Sequence, residues 1–392
     1  MKVVDIRNIF SERNIELFDV NSSYIYYAEE KNEEGSNNLF ILEYDRSTRR
    51  ERLITNYTLE DPTFVEHLFA FEDTVILILE NGTNSLWLIE IDKDSGAELN
   101  RRKVVCTGAF RSCTALDSTH VLIYTGADEA NREMFRQYRE ITGCECLCYM
   151  YDLETNAKFF VKNSLIAKLG ASNIKSIDVH GVKYLILLDP FADEDIKKGY
   201  YDEQRWINVD IRDNIWLCNL TELENELAAG YEDITKKCIA SADIKALARY
   251  MGIEGEKVYF RAKEFRTGLE KICSYDVFTN TLQIEAELSD PENEETFYII
   301  EENPFSVFEV TTEKTETKVK GIVNSTAELK YKTDIGKFMT CIDNRYVVTQ
   351  NTYFNGENGK TAPFCCIYDS VNDASERYEC NCFLNGDTLI LY

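Results

Sequence analysis

Several residue types are scarce in this chain, and each shortage narrows the reading. Among 392 residues there are five Pro, five Met, three Trp and three His. With His67, His120 and His180 as the whole supply, a Ser-His-Asp triad or a multi-histidine metal centre would use most of it. Each histidine is therefore read as a core or turn residue, and no catalytic residue and no metal site is assigned. Neither Gly-x-Gly-x-x-Gly nor Gly-x-x-x-x-Gly-Lys occurs, which removes the common phosphate-binding loops and leaves no cofactor expected. No apolar run approaches the roughly 20 residues of a membrane-spanning helix, and Met1 is followed by Lys2-Val3-Val4-Asp5 rather than by an export signal. The expectation is a cytoplasmic protein that begins at Met1 and does not associate with membranes.

Positive charge is short as well. Against 69 Asp and Glu there are 43 Lys and Arg, a net charge of −26. Nucleic-acid affinity rests largely on Lys and Arg displacing counterions, so DNA, RNA and anionic membranes are poor partners. The acidity is spread along the chain, as suits a surface that resists self-association, and a monomer is expected. Asp193-Glu194-Asp195 lacks the alternating oxygen ligands of a calcium loop. Thirteen cysteines, an odd number without an export signal, point to reduced thiols rather than a disulfide framework. In a strand, Cys144, Cys146 and Cys148 would line one face about 7 Å apart as buried thiols, not as a zinc site.

What the chain does have is aromatic and apolar: 21 Phe, 23 Tyr and 44% hydrophobic residues. Such side chains suit half-buried pleated surfaces, so strands are favoured over helices. One element recurs: an apolar strand ending in Asp or Asn before a short polar turn. Leu42-Glu43-Tyr44-Asp45, Ile89-Glu90-Ile91-Asp92, Tyr149-Met150-Tyr151-Asp152, Cys273-Ser274-Tyr275-Asp276 and Cys366-Ile367-Tyr368-Asp369 are clear copies, with weaker ones ending at Asn219 and Asn324. The spacing of these anchors, roughly 45 to 67 residues, is that of four-stranded propeller blades. A short carboxylate can accept hydrogen bonds from amides two residues on, which gives each anchor a structural role in its turn. Hairpins precede the anchors, as in Phe69 to Leu77, and one more, Phe383 to Leu391, follows the last.

On these repeats the chain resembles the β-propeller superfamily over its full length, closest to TolB-like propellers and unlike WD40 or kelch repeats. The resemblance implies an all-β propeller domain spanning 1–392, of about eight blades (alternatively seven), mostly of four antiparallel strands. Strand Lys2 to Ile6 and the last hairpin would join in one composite blade. By analogy with the superfamily, the loops between second and third strands share a face with the connections between blades, and that face usually carries ligands.

Two insertions, 126–143 and 190–214, fall on that face. The first reads as a short helix carrying Arg132, Arg136, Tyr138 and Arg139; the second offers Tyr200, Tyr201, Arg205 and Trp206. Arg, Tyr and Trp are the residues enriched at interface hot spots, so these eight form the expected binding surface for a protein or peptide partner. The leading expectation is a non-enzymatic binding or scaffold protein. The rival is a hydrolase or lyase acting on a sugar or peptide with carboxylates at the central channel mouth, which requires a deep pocket holding two carboxylates within about 5 to 10 Å. A helix at Thr221 to Ala229 is read as a solvated amphipathic turn without function.

Overall fold

The computed structural model describes residues 2–5, 14–20, 24–33, 36–59, 63–82, 84–190, 213–241, 246–264, 269–288, 296–302, 305–355, 360–385 and 388–391. Strands dominate, arranged in seven four-stranded antiparallel sheets in which sequence neighbours pair. The sheets span residues 14–59, 63–105, 109–160, 174–240, 246–288, 296–332 and 337–378. An eighth sheet has three strands: Lys2–Asp5 pairs in parallel with Thr388–Leu391, which pairs with Cys382–Asn385. The chain is thus an all-β propeller, and its first and last strands share one composite sheet as the repeat predicted.

Two compact units divide it. One holds the first four sheets, within 13–191 and 213–241; the other holds the remaining sheets within 242–392, with the N-terminal strand. The second strands show why long apolar runs recur. Thr74–Asn81 buries five consecutive residues, Val75 to Leu79, and His120–Gly126 buries every residue after the first. Strands covered on both faces have no polar side to present, so alternation disappears from their sequence. The fourth strands are edges and read otherwise: Glu98–Val105 leaves Glu98, Arg101, Lys103 and Val105 exposed, and edge charge of this kind discourages pairing with another chain.

The anchor aspartates close the turn between third and fourth strands. Asp45 Oδ1 accepts from Ser47 N at 2.7 Å and Thr48 N at 3.0 Å; Asp92 accepts from Ser95 N, Asp152 from Glu154 N, Asp276 from Thr279 N and Asp369 from Val371 N. Four residues beyond each anchor the backbone turns left-handed, at Arg49 (φ 57°), Gly96 (69°), Asn156 (61°), Asn280 (58°) and Asp373 (48°). Asn and Asp tolerate this region better than other side chains. In three of the five the tyrosine before the anchor secures the turn, since Tyr275 OH donates to Asn280 Oδ1 at 2.6 Å, Tyr368 OH to Asp373 Oδ1 at 3.1 Å, and Tyr151 OH to Asn156 Oδ1. The repeat is therefore Tyr-Asp-x-x-x-Asn/Asp in its fullest form, a longer signature than the anchor alone.

The weak anchors do different work. Asn219 caps a helix, accepting from Glu222 N at 3.1 Å, while Asn324 Nδ2 donates to Phe305 O at 3.1 Å. Among the described residues three α-helices interrupt the sheets of the first unit: α1 (Arg132–Thr142), α2 (Ser164–Leu169) and α3 (Leu220–Ala228). None of the described helices is long and apolar enough to cross a membrane.

Candidate functional site

The sequence treats α3 as a solvated turn, and the structure corrects this. Leu220, Leu223 and Leu227, spaced to fall on one face, are buried and fix the helix between the third and fourth strands of its sheet. That docking carries Glu224 to the hairpin of the neighbouring sheet, where Asp117 and His120 sit. Asp117 Oδ1 accepts from Thr119 N at 2.8 Å and His120 N at 2.7 Å, so the hairpin backbone itself orients the carboxylate.

Both carboxylates meet the imidazole at the same nitrogen. His120 Nδ1 lies 3.2 Å from Asp117 Oδ1 and 3.1 Å from Glu224 Oε1. The three side chains keep only 20%, 21% and 14% of their surface. Glu224 Oε1 is shut off from solvent, and the His120 ring nitrogen is the polar group it meets among the described residues. Among the described residues His120 Nε2 makes no hydrogen bond.

Charge follows from this geometry. Hydrogen bonding to Asp117, then to Glu224, outweighs burial and pushes His120 up to about 10, so the ring is an imidazolium at neutral pH. Burial would raise Asp117, but the hydrogen bonds from His120 and Thr119 hold it well below the usual carboxylate range. Glu224 is raised, because burial outweighs the pull of His120. Two carboxylates are thus driven in opposite directions around one cation.

The same donors lie within 4.8 Å of one another. One imidazole and two carboxylates could hold a divalent cation, which would first have to displace the proton on Nδ1. Sequence reading missed the cluster because its third member arrives from another sheet; the signal present was Asp-x-x-His at a hairpin. His120 stands at a hairpin turn, as expected of the histidines, but its ring is also held between two carboxylates. The expectation suits the others: His67 is half-buried with its ring 5.2 Å from Phe69, burial lowering its pKa, and His180 occupies the left-handed turn at φ 52° before Gly181.

A cavity of about 320 Å³ is lined by Phe71, Ala115, Leu116, Ile177, Asp178 and Lys183 among others; Leu116 immediately precedes Asp117 in sequence, but no member of the cluster lines it. A second, of about 490 Å³, lies between the first two sheets. Its cations are already engaged, Arg52 by Glu43 at 3.0 Å and Lys93 by the carbonyl of Phe71.

The residues expected to form a binding surface separate. Arg132, Arg136 and Arg139 are exposed on α1, where Arg136 pairs with Glu133 at 2.7 Å and Arg139 with Glu145 at 3.3 Å. Tyr138 faces inward; it is 6% exposed and its hydroxyl donates to Val161 O at 2.6 Å, so it anchors the helix instead of meeting a partner. Tyr200, Tyr201, Arg205 and Trp206 lie outside the described residues. The cysteine run is not a strand: Cys144 is buried in the loop after α1, Cys146 is exposed, and only Cys148 belongs to a strand, because Gly143 ends the helix in a left-handed cap at φ 73° and a bend follows.

No family model and no curated sequence matches the chain. Among solved structures it is similar to an uncharacterised protein from Listeria monocytogenes EGD-e, at 10% identity over 96% of both chains with a TM-score of 0.47. It is also similar to the β-propeller domain of the trilobed protease from Pyrococcus furiosus, at 10% identity over 93% of this chain and 97% of that one, TM-score 0.40. A third similarity is to an oligogalacturonate lyase in complex with manganese, at 13% identity over 91% and 73%, TM-score 0.35. Prolyl endopeptidases and acylaminoacyl peptidases are found as well, and the chain spans only 50% to 59% of their length. The structures found are mostly enzymes, against the expectation of a non-enzymatic binding or scaffold protein. At these identities no residue role is transferred from them.

Proposed function

We propose that the chain is a hydrolase or lyase acting on a sugar or peptide, with His120 as its proton-transferring group. The observation that supports this is the placement of two carboxylates on one imidazole nitrogen, while Nε2 makes no hydrogen bond among the described residues. A carboxylate on Nδ1 fixes the tautomer and orientation of the ring and stabilises its charged form. Asp117 and Glu224 are then positioning residues, and the Nε2–H of the imidazolium donates a proton to a leaving oxygen or nitrogen. The two carboxylates stand within 4.8 Å, closer than the roughly 5 to 10 Å of a glycosidase pair. They clasp a cation rather than flank an open cleft, so the acid is the imidazolium and not a carboxylic acid.

The test is turnover of oligogalacturonides, followed by the absorbance of unsaturated products, and of chromogenic glycosides and peptide amides. A positioned general acid contributes about 10² to 10⁴ in rate, so His120→Gln should lower kcat at least a hundredfold on whichever class is turned over while leaving the near-ultraviolet circular dichroism unchanged. Equal turnover by His120→Gln, or no turnover of any of the three classes, would sink the proposal.

A further inference from the structure

A cavity of about 660 Å³ lies in the other unit, between the sheets 296–332 and 337–378. Its floor is aromatic: Tyr331 and Phe338 are 3% and 5% exposed, and the Phe338 ring is held edge-on against Phe308 with centroids 5.1 Å apart. The hydroxyls of Thr317 and Thr333, 3.1 Å from each other, add polar atoms to the wall.

Charge at the rim runs against that of the molecule. Glu313, Lys314 and Lys337 are the ionic residues lining the cavity. Glu313 is taken by Lys318 in an ion pair, which neutralises the one carboxylate. Lys314 and Lys337 form no ion pair among the described residues. Two ammonium groups with no ion-pair partner among the described residues stand at the mouth of an aromatic pocket, where they attract an anion locally against the repulsion of a chain of net charge −26.

We infer that this cavity binds a small anionic molecule with an aromatic or apolar body. The carboxylate, sulfonate or phosphate of such a ligand sits between Lys314 and Lys337, and its rings rest on Tyr331 and Phe338. The volume falls in the range of pockets that enclose small ligands, and the mix of aromatic floor and few placed polar groups is typical of them. This inference is independent of the chemistry at His120, which lies in the other unit.

The probe is 8-anilinonaphthalene-1-sulfonate, an aromatic anion, with uncharged N-phenyl-1-naphthylamine as its neutral counterpart. The folded chain should bind the sulfonate saturably at one equivalent. Lys314→Glu combined with Lys337→Glu should weaken it about tenfold or more, since each lost or reversed charge near a bound anion alters affinity several-fold. The neutral probe should change less than about twofold on the same logic. Lys175→Glu with Lys236→Glu, which makes the same change in net charge at two lysines of the other unit that do not line the cavity, should leave sulfonate binding as it was. Near-ultraviolet circular dichroism checks that each variant is folded. The inference is overturned if the sulfonate does not saturate at one equivalent, if the rim variant binds it as tightly as the wild type, or if the distant pair weakens it equally.

Discussion

The His120 cluster makes a claim about protons that can be read directly. The folded-state value of about 10 stands well above the ordinary 6.5. At about 1.4 kcal/mol per unit, that difference bounds the preference for the charged ring at roughly 5 kcal/mol. Glu224 is raised rather than lowered by its burial, so part of the attraction offsets desolvation of the carboxylate, and a net contribution of about 2 to 3 kcal/mol is expected. Because the folded value exceeds the unfolded one, this stabilisation is complete below about pH 6.5 and is lost as pH rises through about 10. With three histidines in the chain, the imidazole proton region of an NMR spectrum is sparse enough to follow each. One resonance, absent in His120→Gln, should titrate near pH 10, while that of His67 should titrate below 6.5 because burial lowers it. Glu224→Gln should bring the His120 midpoint down by about one unit or more, removing one of its two partners. In urea, the wild type should lose about 2 to 3 kcal/mol more than His120→Gln between about pH 7 and about pH 10.5. If no histidine titrates above about pH 8, or if the two stability curves run parallel, the ion-pair reasoning is wrong.

Two further outcomes test the scaffold. Gly96→Ala should destabilise by about 2 kcal/mol or more, seen as a lower urea midpoint, because the residue sits at φ 69° and an added Cβ would lie 2.0 Å from Ile54 O. Tyr138→Phe should cost about 1 to 2 kcal/mol in the same assay by leaving Val161 O without its buried donor; no change would mean that the hydroxyl does not hold α1 in place.

Much of the architecture was legible in the residues. The anchors Asp45, Asp92, Asp152, Asp276 and Asp369 mark real turns because their carboxylates act within a few residues of their own position, a local effect that spacing alone reveals. The hairpins were legible for the same reason. The tyrosine and left-handed residue that complete the signature were equally present in the sequence and were passed over, since their relation appears only once the turn is seen to close. Cys144 to Cys148 misled because strand periodicity was extended across Gly143, where the chain leaves a helix.

The working site was another matter. Arg132, Arg136 and Arg139 were legible as an exposed basic helix, but which face of α1 turns inward depends on the neighbours that cover Phe135 and Tyr138. Glu224 stands more than a hundred residues from His120 and reaches it because three leucines dock α3 beside the next sheet.

By itself, the order of residues determined the strands, the turns between them and the pairing of each with its sequence neighbour, since those depend on hydrogen bonds and side-chain alternation over a few positions. Only the tertiary structure decided which charges meet, at His120 and at the rim formed by Lys314 and Lys337. The energy of a buried or half-buried charge depends on what surrounds it in space, and that is settled by packing between sheets rather than by distance along the chain.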